Sequence, residues 1–415
     1  MNKTVAFILC MALVITCVVC LAACNNNGNK EVVIPDEMTS ADGKYEIAMV
    51  TDIGQLKDGS FNEGTWNGVK TFAYNNNKSY KYYQPANGAN ASDQDRIDAF
   101  NLAINGGASI IVCPGYAFEN ALKEVVPKNP NVKFVFIDRW TLGEANLTAG
   151  AYHEEQCGYF AGYAAVMEGY TKLGGTFGGG ATNAACNRYA YGYLQGINAA
   201  AKEKNIKADV RISHQYGSGF SASPELQQQI NGWYTSGTQI VFACGGSMSE
   251  SVFAAAAQNR KKSIGVDVDQ SGVSETVVTS AMKGLKESVE IVLKQYFDGE
   301  WDTKLSDKLS NLGAKDGAVG LPTATWSMKN YTVDQYNQLL NAVKNGTVEI
   351  ATCGADWTVV DTAAPSGYCV DPTPKSVYVD VSEGDREYTV AAVNYEKPDM
   401  KITKRDAMSG TPSAG

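Results

Sequence analysis

From residue 45 onward, short apolar runs rich in β-branched residues alternate with longer segments in which apolar residues recur with a helical period. Turns that contain Gly, Pro or Asp separate them. This alternation is typical of a parallel sheet with helices on both faces, because parallel strands are buried on both faces and need a crossover between them. The pattern therefore predicts an α/β fold. The predicted strands cover residues 46–51, 80–84, 109–113, 133–137, 147–151, 172–177, 210–214, 239–243, 263–266 and 276–279, and the predicted helices cover residues 62–74, 93–105, 118–126, 155–168, 189–204, 225–235, 249–259 and 284–297.

Ten predicted strands exceed one comfortable sheet, and a break near residue 150 separates two similar halves. We therefore predict two doubly wound lobes. Residues 370–415 follow neither period and are predicted to form a C-terminal extension with a disordered tail.

Three serines stand where predicted helices begin. Ser60, Ser92 and Ser223 each precede a helical segment, where a side-chain hydroxyl can accept a hydrogen bond from a free backbone N–H. Pro224 would then fall in the first turn of its helix, where its missing N–H is not needed.

Residues 1–23 have the pattern of an export signal rather than of a folded segment. Lys3 precedes an apolar run that ends in the small-residue sequence LAAC at residues 21–24. We predict cleavage before Cys24 and attachment of a diacylglyceryl group to its thiol. Since each buried CH₂ contributes about 0.8 kcal/mol, the acyl chains would hold the protein on the extracytoplasmic face of the cell membrane. A membrane-spanning anchor is the alternative. The polar residues 24–44 are predicted to be a flexible tether.

The charge balance excludes one class of partner. The chain has a net charge of −9 and an isoelectric point near 5.0, and no run of basic residues stands out. Nucleic acid binding depends on clustered Lys and Arg that neutralise phosphates. We therefore predict no nucleic acid partner.

The cysteines do not indicate a metal site. Six of the ten lie beyond the leader, and none of these shows CxxC spacing, so no zinc site is predicted. Cys353 and Cys369 are the closest pair, in a segment that contains Gly and Pro. A disulfide between them is one interpretation, and free buried thiols are the other. Cys113, Cys157 and Cys244 fall in apolar segments and are predicted to be small core residues.

Acids and glycines stand where the predicted strands end. In open parallel sheets, ligands bind beyond the carboxyl ends of the strands. Carboxylates accept hydrogen bonds from vicinal hydroxyls, and glycines let backbone N–H groups approach a ligand. The rim therefore suits a polyol-bearing solute, although each carboxylate has a plainer interpretation as an acceptor for the first amides of the next helix. The residues at these positions are Asp52, Gly115, Asp138, Arg139, Trp140, His153, Glu154, Glu155, Gly178, Gly179, Gly180, Gly245, Gly246, Ser247, Asp267 and Asp269.

Several motifs resemble those of one known family. Residues 45–73 read YEIAMVTDIGQLKDGSFNEGTWNGVKTFA and contain the element TD.G...D.SFN. Further matches follow in order: FVFIDRW at 134–140, YHEEQCGYFAGYAA at 152–165, GGTFGGG at 174–180, GYLQG at 192–196, SIGVDVDQ at 263–270 and TSAMKG at 279–284. Over about residues 45–350 the chain resembles the basic membrane protein family, whose members are nucleoside-binding lipoproteins of ABC importers. The resemblance implies a periplasmic-binding-protein type I fold and a nucleoside-binding role. In such a fold, lobe 1 is expected to hold residues 45–150 and about 268–310, and lobe 2 residues 151–267 and about 311–369, with hinge segments near residues 150, 267 and 320.

Carried over position by position, the resemblance places eight residues in a cleft between the lobes. It implies that Phe61 and Phe220 sandwich a planar base from opposite lobes. Asn62 and Asp138 would then read the edges of the base. The eight residues are Asp52, Phe61, Asn62, Asp138, Phe220, Gly245, Asp267 and Lys283.

The same resemblance assigns the sugar and identifies two departures. Asp267 and Lys283 would hold the ribose hydroxyls. Gly59 stands where the family commonly has Lys, and Glu63 where it often has Gln. Both are expected at the mouth of the cleft, where they would influence which base is preferred.

These features predict a solute-binding protein that closes on a purine nucleoside and presents its closed form to an ABC permease, without a cofactor, a metal or a covalent step. A hexose or another small polar solute is the alternative ligand, and a sensor for a membrane receptor is the alternative role. A nucleoside hydrolase is the enzyme alternative, but its acids usually cluster near the N-terminus, whereas the acids here are dispersed one per strand end.

No Lys-Ser or Lys-Thr follows residues 178–180, so no phosphate loop is predicted. His153 and His214 lie on different strands without a nucleophile motif, so no catalytic triad is predicted.

Overall fold

A computed structural model describes residues 33–38, 40–53, 55–180, 183–214 and 219–352, and the backbone of five short strands further on. The predicted leader with Cys24, the predicted disulfide between Cys353 and Cys369, and the predicted disordered tail fall outside the residues whose side chains are described. Within the described part of the chain, no helix has both the length and the apolar character needed to cross a bilayer.

Strands and helices alternate through the body, as the hydrophobic pattern predicts. The strands are β1 (Ile47–Val50), β2 (Tyr80–Tyr83), β3 (Ile110–Pro114), β4 (Lys133–Ile137), β5 (Leu147–Tyr152), β6 (Lys172–Phe177), β7 (Asp209–His214), β8 (Ile240–Cys244), β9 (Lys262–Asp267), β10 (Val277–Lys283), β11 (Leu309–Leu312) and β12 (Val319–Gly320). The helices are α1 (Phe61–Asn75), α2 (Asp93–Asn105), α3 (Glu119–Lys128), α4 (Glu154–Glu168), α5 (Ala184–Glu203), α6 (Pro224–Thr235), α7 (Ser249–Asn259), α8 (Leu285–Phe297) and α9 (Val333–Lys344). Each predicted strand and helix is confirmed. The largest shifts are at α5, which begins five residues earlier than predicted, and at β10, which runs on to Lys283.

Lobe 1 is built on a six-stranded parallel sheet in the order β11-β5-β4-β3-β1-β2. All residues of β1 and β3 are buried, as expected for strands covered on both faces. Phe100 of α2 and Leu122 of α3 belong to the core on one face. On the other face α1 packs against α8, where the rings of Phe72 and Phe297 stack at 5.7 Å.

Lobe 2 repeats this plan with the order β12-β10-β9-β8-β6-β7, in which only β12 is antiparallel to its neighbour. Helices α6 and α7 share the core on one face, and α4 and α5 lie against each other on the other. Their contact depends on glycine, because a Cβ on Gly158 would lie 2.1 Å from the carbonyl oxygen of Tyr189. This close approach brings Tyr189 of α5 to the carboxyl end of the sheet.

The chain crosses between the sheets three times, between β5 and α4, between β10 and α8, and between β11 and β12. The second crossover corrects the predicted boundary near residue 267. Strand β10 pairs in parallel with β9 in lobe 2, whereas residues 268–310 were expected in lobe 1. The link between β9 and β10 contains no helix, so the hydrophobic pattern gave no sign that the chain stays in the same sheet.

The compact body begins at Asp36, within the segment predicted as a tether. The Asp36 carboxylate lies 2.7 Å from the ammonium of Lys57 and 3.1 Å from that of Lys70. Glu37 pairs with Lys81 on β2 at 2.5 Å. These ion pairs attach residues 36 and 37 to lobe 1, which hydropathy does not predict because the attachment is electrostatic.

Two of the three predicted N-caps are confirmed. Ser92 and Ser223 accept hydrogen bonds from backbone N–H groups at 3.2 and 3.1 Å, and Pro224 opens α6. Ser60 makes no cap bond with its side chain. The carboxylate of Asp58 caps α1 instead, because it accepts the N–H groups of Ser60, Asn62 and Glu63.

The C-terminal segment contains short antiparallel strands. β13 (Asp356–Val359) pairs with β15 (Lys375–Tyr378), and β16 (Ala392–Glu396) lies between β14 (Tyr368–Cys369) and β17 (Lys401–Lys404). The extension was predicted to begin at residue 370, whereas β13 and β14 already pair with its strands, so this antiparallel segment begins earlier than expected.

Candidate functional site

The carboxyl ends of the two sheets face each other across a cleft. All eight residues expected in a cleft line it, so the structure brings together side chains from positions 52 to 283. The lining from lobe 1 consists of Asp52, Ile53, Asp58, Phe61, Asn62, Gly115, Tyr116, Asp138 and Arg139, and that from lobe 2 and the second crossover consists of Asn183, Ala184, Ala185, Cys186, Tyr189, Phe220, Cys244, Gly245, Gly246, Ser247, Val266, Asp267 and Lys283.

The two lobes present matched backbone features at the rim. Asp138 directly follows β4 and Asp267 ends β9, and both have the left-handed conformation, with φ of +64° and +66°. Such values are uncommon for residues other than glycine and mark positions that surrounding contacts hold in place. Gly115 and Gly245 follow β3 and β8 with φ of +106° and +150°. A Cβ on Gly115 would lie 2.0 Å from Asp52 Oδ2, so glycine is what lets this loop approach Asp52.

Asn62 is oriented by two carboxylates. Its Nδ2 donates to Asp52 Oδ1 at 3.2 Å and to Asp58 Oδ2 at 3.3 Å. Because a carboxylate only accepts hydrogen bonds, these contacts fix which end of the amide is nitrogen. The Oδ1 atom is left buried and without a hydrogen-bond partner among the described residues. Burial raises the pKa of Asp58 to about 6, even though the N–H groups of α1 lower it.

Lys283 is the central cation of the site. Its side chain is 2% exposed, and its Nζ lies 2.6 Å from Asp138 Oδ2, 3.3 Å from Glu154 Oε1 and 3.8 Å from Asp267 Oδ1. Arg188 Nε donates to the other oxygen of Glu154 at 2.5 Å. The buried acids are therefore compensated by fixed cations, as buried charges require.

These contacts set the protonation of the site. Burial raises the pKa of Asp138 to about 6, and Lys283 opposes that rise. Burial also raises the pKa of Glu154, but Arg188 and Lys283 lower it below its usual value. Burial lowers the pKa of Lys283, but its three carboxylate neighbours raise it well above its usual range. At neutral pH, Lys283 is charged and Asp138 is mostly ionised. Asp138 Oδ1 is buried without a hydrogen-bond partner in the described part of the chain.

Asp267 accepts two hydrogen bonds from different directions. Ser60 Oγ donates to its Oδ2 at 2.7 Å, and Tyr189 OH lies 3.3 Å from its Oδ1. Since each carboxylate oxygen can accept two hydrogen bonds, Asp267 keeps acceptor capacity on the cleft side.

Aromatic rings lie on both sides of the cleft. Phe220 packs against the loop after β6, where a Cβ on Gly178 or Gly179 would lie 2.7 Å from its ring. The glycines of this loop therefore make room for a ring. Across the cleft, the rings of Phe220 and Tyr116 are 6.4 Å apart at 46°. Phe61 also lines the cleft, with its ring 5.0 Å from the Lys283 ammonium.

The lining has a net negative charge. Four of its residues are acids, and Arg139 and Lys283 are its cations. The Arg139 guanidinium stacks 4.3 Å from the ring of Trp140 and lies 3.3 Å from Glu119. Trp140 is not among the described residues that line the cleft, but it packs against Arg139, which is. An excess of fixed carboxylates disfavours a phosphorylated ligand.

In the described part of the chain, no three His, Cys, Asp or Glu side chains are grouped so as to hold a metal ion.

Sequence reasoning missed Asp58, Ser60, Tyr116 and Tyr189. The signal for Asp58 was present, because it is the second acid of the TD.G...D.SFN element. The structure also describes the two departures from the family pattern. Gly59 has φ of +62° and its N–H donates to Glu63 Oε2 at 3.0 Å, and neither residue is part of the described lining. Their effect on a ligand would be indirect.

Comparison with known proteins identifies the family. The profile of the Bmp family, described as ABC transporter substrate-binding protein PnrA-like, matches residues 45–352. The chain belongs to the Bmp family. It is 27% identical over 310 residues to the ABC transporter nucleoside-binding protein BmpA of Lactococcus lactis, covering 69% of this chain and 84% of that protein. Basic membrane protein A1 of Borrelia garinii is 27% identical over 327 residues, covering 77% of this chain and 87% of its own length.

Solved structures agree on the fold of this Bmp-family protein. An ABC transporter solute-binding protein from Aeropyrum pernix matches with a TM-score of 0.64 and 17% identity, covering 74% of this chain and 93% of its own. Another from Conexibacter woesei has a TM-score of 0.58 and 17% identity, covering 74% and 99%. The periplasmic-binding-protein type I fold is confirmed. The protein is an ABC transporter substrate-binding protein, with a small solute as its ligand and a permease as its partner. Its relatives are binding proteins rather than enzymes, so the hydrolase alternative is set aside.

Proposed function

We propose that this protein binds a purine nucleoside in the cleft between its lobes and delivers it to an ABC permease while anchored to the membrane through lipidated Cys24. The observation that carries the proposal is a pair of acceptors. Asn62 Oδ1 and Asp138 Oδ1 belong to cleft residues, are buried, and have no hydrogen-bond partner among the described residues. A buried acceptor without a donor costs roughly 1 to 3 kcal/mol, so a ligand with N–H donors would recover that cost.

The chemistry of a purine fits these two acceptors. The N1–H of inosine is one suitable donor, and guanosine adds an adjacent amino group. If the side-chain amide of Asn62 were rotated by 180°, its oxygen would face the carboxylates of Asp52 and Asp58. The amide orientation is therefore fixed. Asp138 is held on its other oxygen by Lys283. Both acceptors are therefore preorganised, which reduces the entropy lost on binding.

The flat faces of a base would be covered by Phe61 and by Phe220. Each aromatic contact of this kind contributes roughly 0.5 to 1.5 kcal/mol beyond burial. Tyr116 already packs near Phe220 and would extend that surface.

The ribose would lie toward lobe 2. Asp267 retains acceptor capacity beside its bonds to Ser60 and Tyr189. Gly245 has no side chain, so the ribose could approach the backbone at the end of β8 closely. The ammonium of Lys283 already faces three acids. Lys283 would therefore contribute to binding mainly by holding the carboxylates of Asp138 and Asp267 in position.

The negative lining supports a nucleoside over a nucleotide, because a phosphate would add charge to a cleft that already carries an excess of acids. The printed name of the Lactococcus relative supports the same ligand class. Closure of the lobes would report occupancy to the permease, since the ligand need only bind the closed form more tightly than the open form.

A thermal unfolding panel tests the ligand. The full chain in mild detergent is heated alone and with guanosine, inosine, guanosine monophosphate, ribose and glucose. Guanosine or inosine at about 100 times its Kd should stabilise the fold by about 2.7 kcal/mol, and the monophosphate should have little effect. Stabilisation by glucose or ribose without any effect of a nucleoside would contradict the proposal in favour of a sugar.

The anchor has its own test. Cells that express the chain are labelled with a palmitate analogue and fractionated. The wild-type protein should be labelled and remain with membranes, and Cys24→Ala should be unlabelled. Label on the Cys24→Ala chain would contradict the assignment of Cys24.

A further inference from the structure

The three serines that precede helices differ in what their hydroxyls bind. Ser92 and Ser223 cap their helices through backbone N–H groups. Ser60 stands in the equivalent place before α1, yet its hydroxyl donates to Asp267 Oδ2 at 2.7 Å, and both residues are buried. A residue of helix-capping type is thus used for a contact 207 positions away in the sequence.

Asp58 is what frees the Ser60 hydroxyl. The N–H groups at the start of α1 already have an acceptor in the Asp58 carboxylate, at 2.9 to 3.1 Å. Helix α1 therefore does not need the Ser60 side chain as a cap. Loss of that hydroxyl should leave the end of the helix intact, unlike loss of the Ser92 hydroxyl.

The Ser60 bond joins the two lobes, because Ser60 precedes α1 of lobe 1 and Asp267 ends β9 of lobe 2. A second bond lies beside it. Gln270 Nε2 donates to the carbonyl oxygen of Gly59 at 2.9 Å, while Gln270 Oε1 accepts the N–H of Val266 at 2.8 Å. Gln270 is 1% exposed, so the bond is shielded from water. We call the pair Ser60–Asp267 and Gln270–Gly59 the interlobe latch.

We propose that the interlobe latch couples the seating of lobe 1 on lobe 2 to the orientation of the Asp267 carboxylate, which makes Ser60 a positioning residue for recognition of the sugar part of the solute. The part that concerns the sugar rests on the proposed nucleoside function. The latch itself rests only on the contacts between the lobes.

The geometry explains why Ser60 is needed. Within lobe 2, the carboxylate of Asp267 is held by Tyr189 OH at 3.3 Å, a long contact for an O–H donor. The Ser60 bond at 2.7 Å has the length of a charge-assisted bond. Without it, Asp267 has one long hydroxyl contact and an ammonium at 3.8 Å. Its carboxylate would turn more freely, and a ligand hydroxyl would have to fix it.

Calorimetry on the full chain in detergent tests the positioning role, with inosine and its free base hypoxanthine as probes. Ser60→Ala should weaken inosine binding about 10-fold or more and leave hypoxanthine affinity within about twofold. Ser92→Ala is the matched control, since it removes a hydroxyl from the same place before another helix. It should lower Tm and leave both affinities unchanged. Equal loss for inosine and hypoxanthine in Ser60→Ala, or no loss for inosine, would overturn the role of Ser60.

Hydrogen exchange of the ligand-free chain separates this inference from the proposed function. The latch predicts faster exchange of amides in residues 266–271 of lobe 2 in Ser60→Ala, although the substitution is in lobe 1. Ser92→Ala should not change exchange there. If the wild-type chain binds no inosine, the proposed function fails and exchange alone decides the latch. Unchanged exchange in Ser60→Ala would overturn it.

Discussion

Lys283 Nζ lies 2.6 Å from Asp138 Oδ2, and this bond joins the last residue of β10, where the chain leaves lobe 2, to the carboxyl end of β4 in lobe 1. The same ammonium lies 3.3 Å from Glu154, which opens α4 at the first crossover. One buried cation thus ties two of the three crossovers to an acid of the cleft. The hinge and the binding site share residues, so a change in one is expected to alter the other.

Replacing Lys283 with Met is expected to raise the pH at which nucleoside binding fails. Burial raises the pKa of Asp138 to about 6 and Lys283 opposes that rise, so removing the cation raises the pKa further. A protonated Asp138 accepts fewer hydrogen bonds. Inosine affinity should therefore fall as pH drops through about 6 in the wild type and at a higher pH in the variant. Titrations at several pH values measure both midpoints. Lys128→Met, at an exposed ion pair, is the control, and identical midpoints in Lys283→Met would contradict the account.

Replacing Asp58 with Asn should change how stability depends on pH. The pKa of Asp58 in the folded chain is raised to about 6 from an ordinary 3.8. Its contribution to the free energy of unfolding is therefore fully present below about pH 4 and lost as pH rises through about 6. The Asp58→Asn variant has no carboxyl group at this position, so it does not lose this contribution as pH rises. The difference in stability, variant minus wild type, should move in favour of the variant between about pH 4 and 6, by up to about 1.4 kcal/mol per pH unit.

Urea unfolding at several pH values measures this difference. A constant difference across the range would show that Asp58 does not titrate there. Asp98→Asn on α2, an exposed position, serves as the control.

Replacing Glu154 with Gln should destabilise the fold severely. Glu154 is fully buried and is the partner of both Arg188 and Lys283. Removing its charge takes a carboxylate partner from the buried Lys283 and from the partly buried Arg188, and breaking a buried pair in this way costs roughly 3 to 5 kcal/mol. Glu124→Gln removes one partner of an exposed pair with Lys128 and should cost less than about 1 kcal/mol. Urea unfolding measures both. Equal small effects would indicate that the buried network contributes little.

Replacing Gly115 with Ala should weaken ligand binding by displacing Asp52. The added Cβ would lie 2.0 Å from Asp52 Oδ2, so Asp52 must move, and with it a partner of Asn62. Gly143 also has a positive φ, +78°, but its Cβ would meet no atom within 4 Å. Gly143→Ala therefore also adds a side chain at a positive φ, but without the collision. Calorimetry should show a loss of about 10-fold or more with inosine for Gly115→Ala only. A similar loss in both variants would mean that strain, not Asp52, is responsible.

Much of the fold could be predicted from the sequence, because buried parallel strands are apolar and their crossover helices have a clear period. The position of the second crossover could not be predicted from the sequence. Strand β10 follows β9 without an intervening helix, and only its pairing with β9 reveals that it stays in lobe 2. The ion pairs of Asp36 were also missed, since charge pairing across the fold leaves no trace in a hydrophobic pattern.

The site was predictable where position along a strand determines it. Asp52, Asp138 and Asp267 each stand at the carboxyl end of a strand, and the fold brings such ends together. The use of Ser60 was not predictable, because Ser before a helix usually caps it and only the tertiary structure shows that Asp58 has taken that role. Glu154 stood on the predicted rim, but its pairing with Lys283 depends on two crossovers meeting.

Calorimetric titration of guanosine into the full chain measures nucleoside binding itself, with Asn62→Leu as a matched variant that removes one of the two preorganised acceptors. One guanosine should bind per chain with a Kd near or below about 1 μM, equivalent to about −8.2 kcal/mol. Asn62→Leu should weaken binding by roughly 1 to 3 kcal/mol. Absence of binding heat with guanosine, inosine and adenosine at a concentration where a hexose binds would contradict the proposed function.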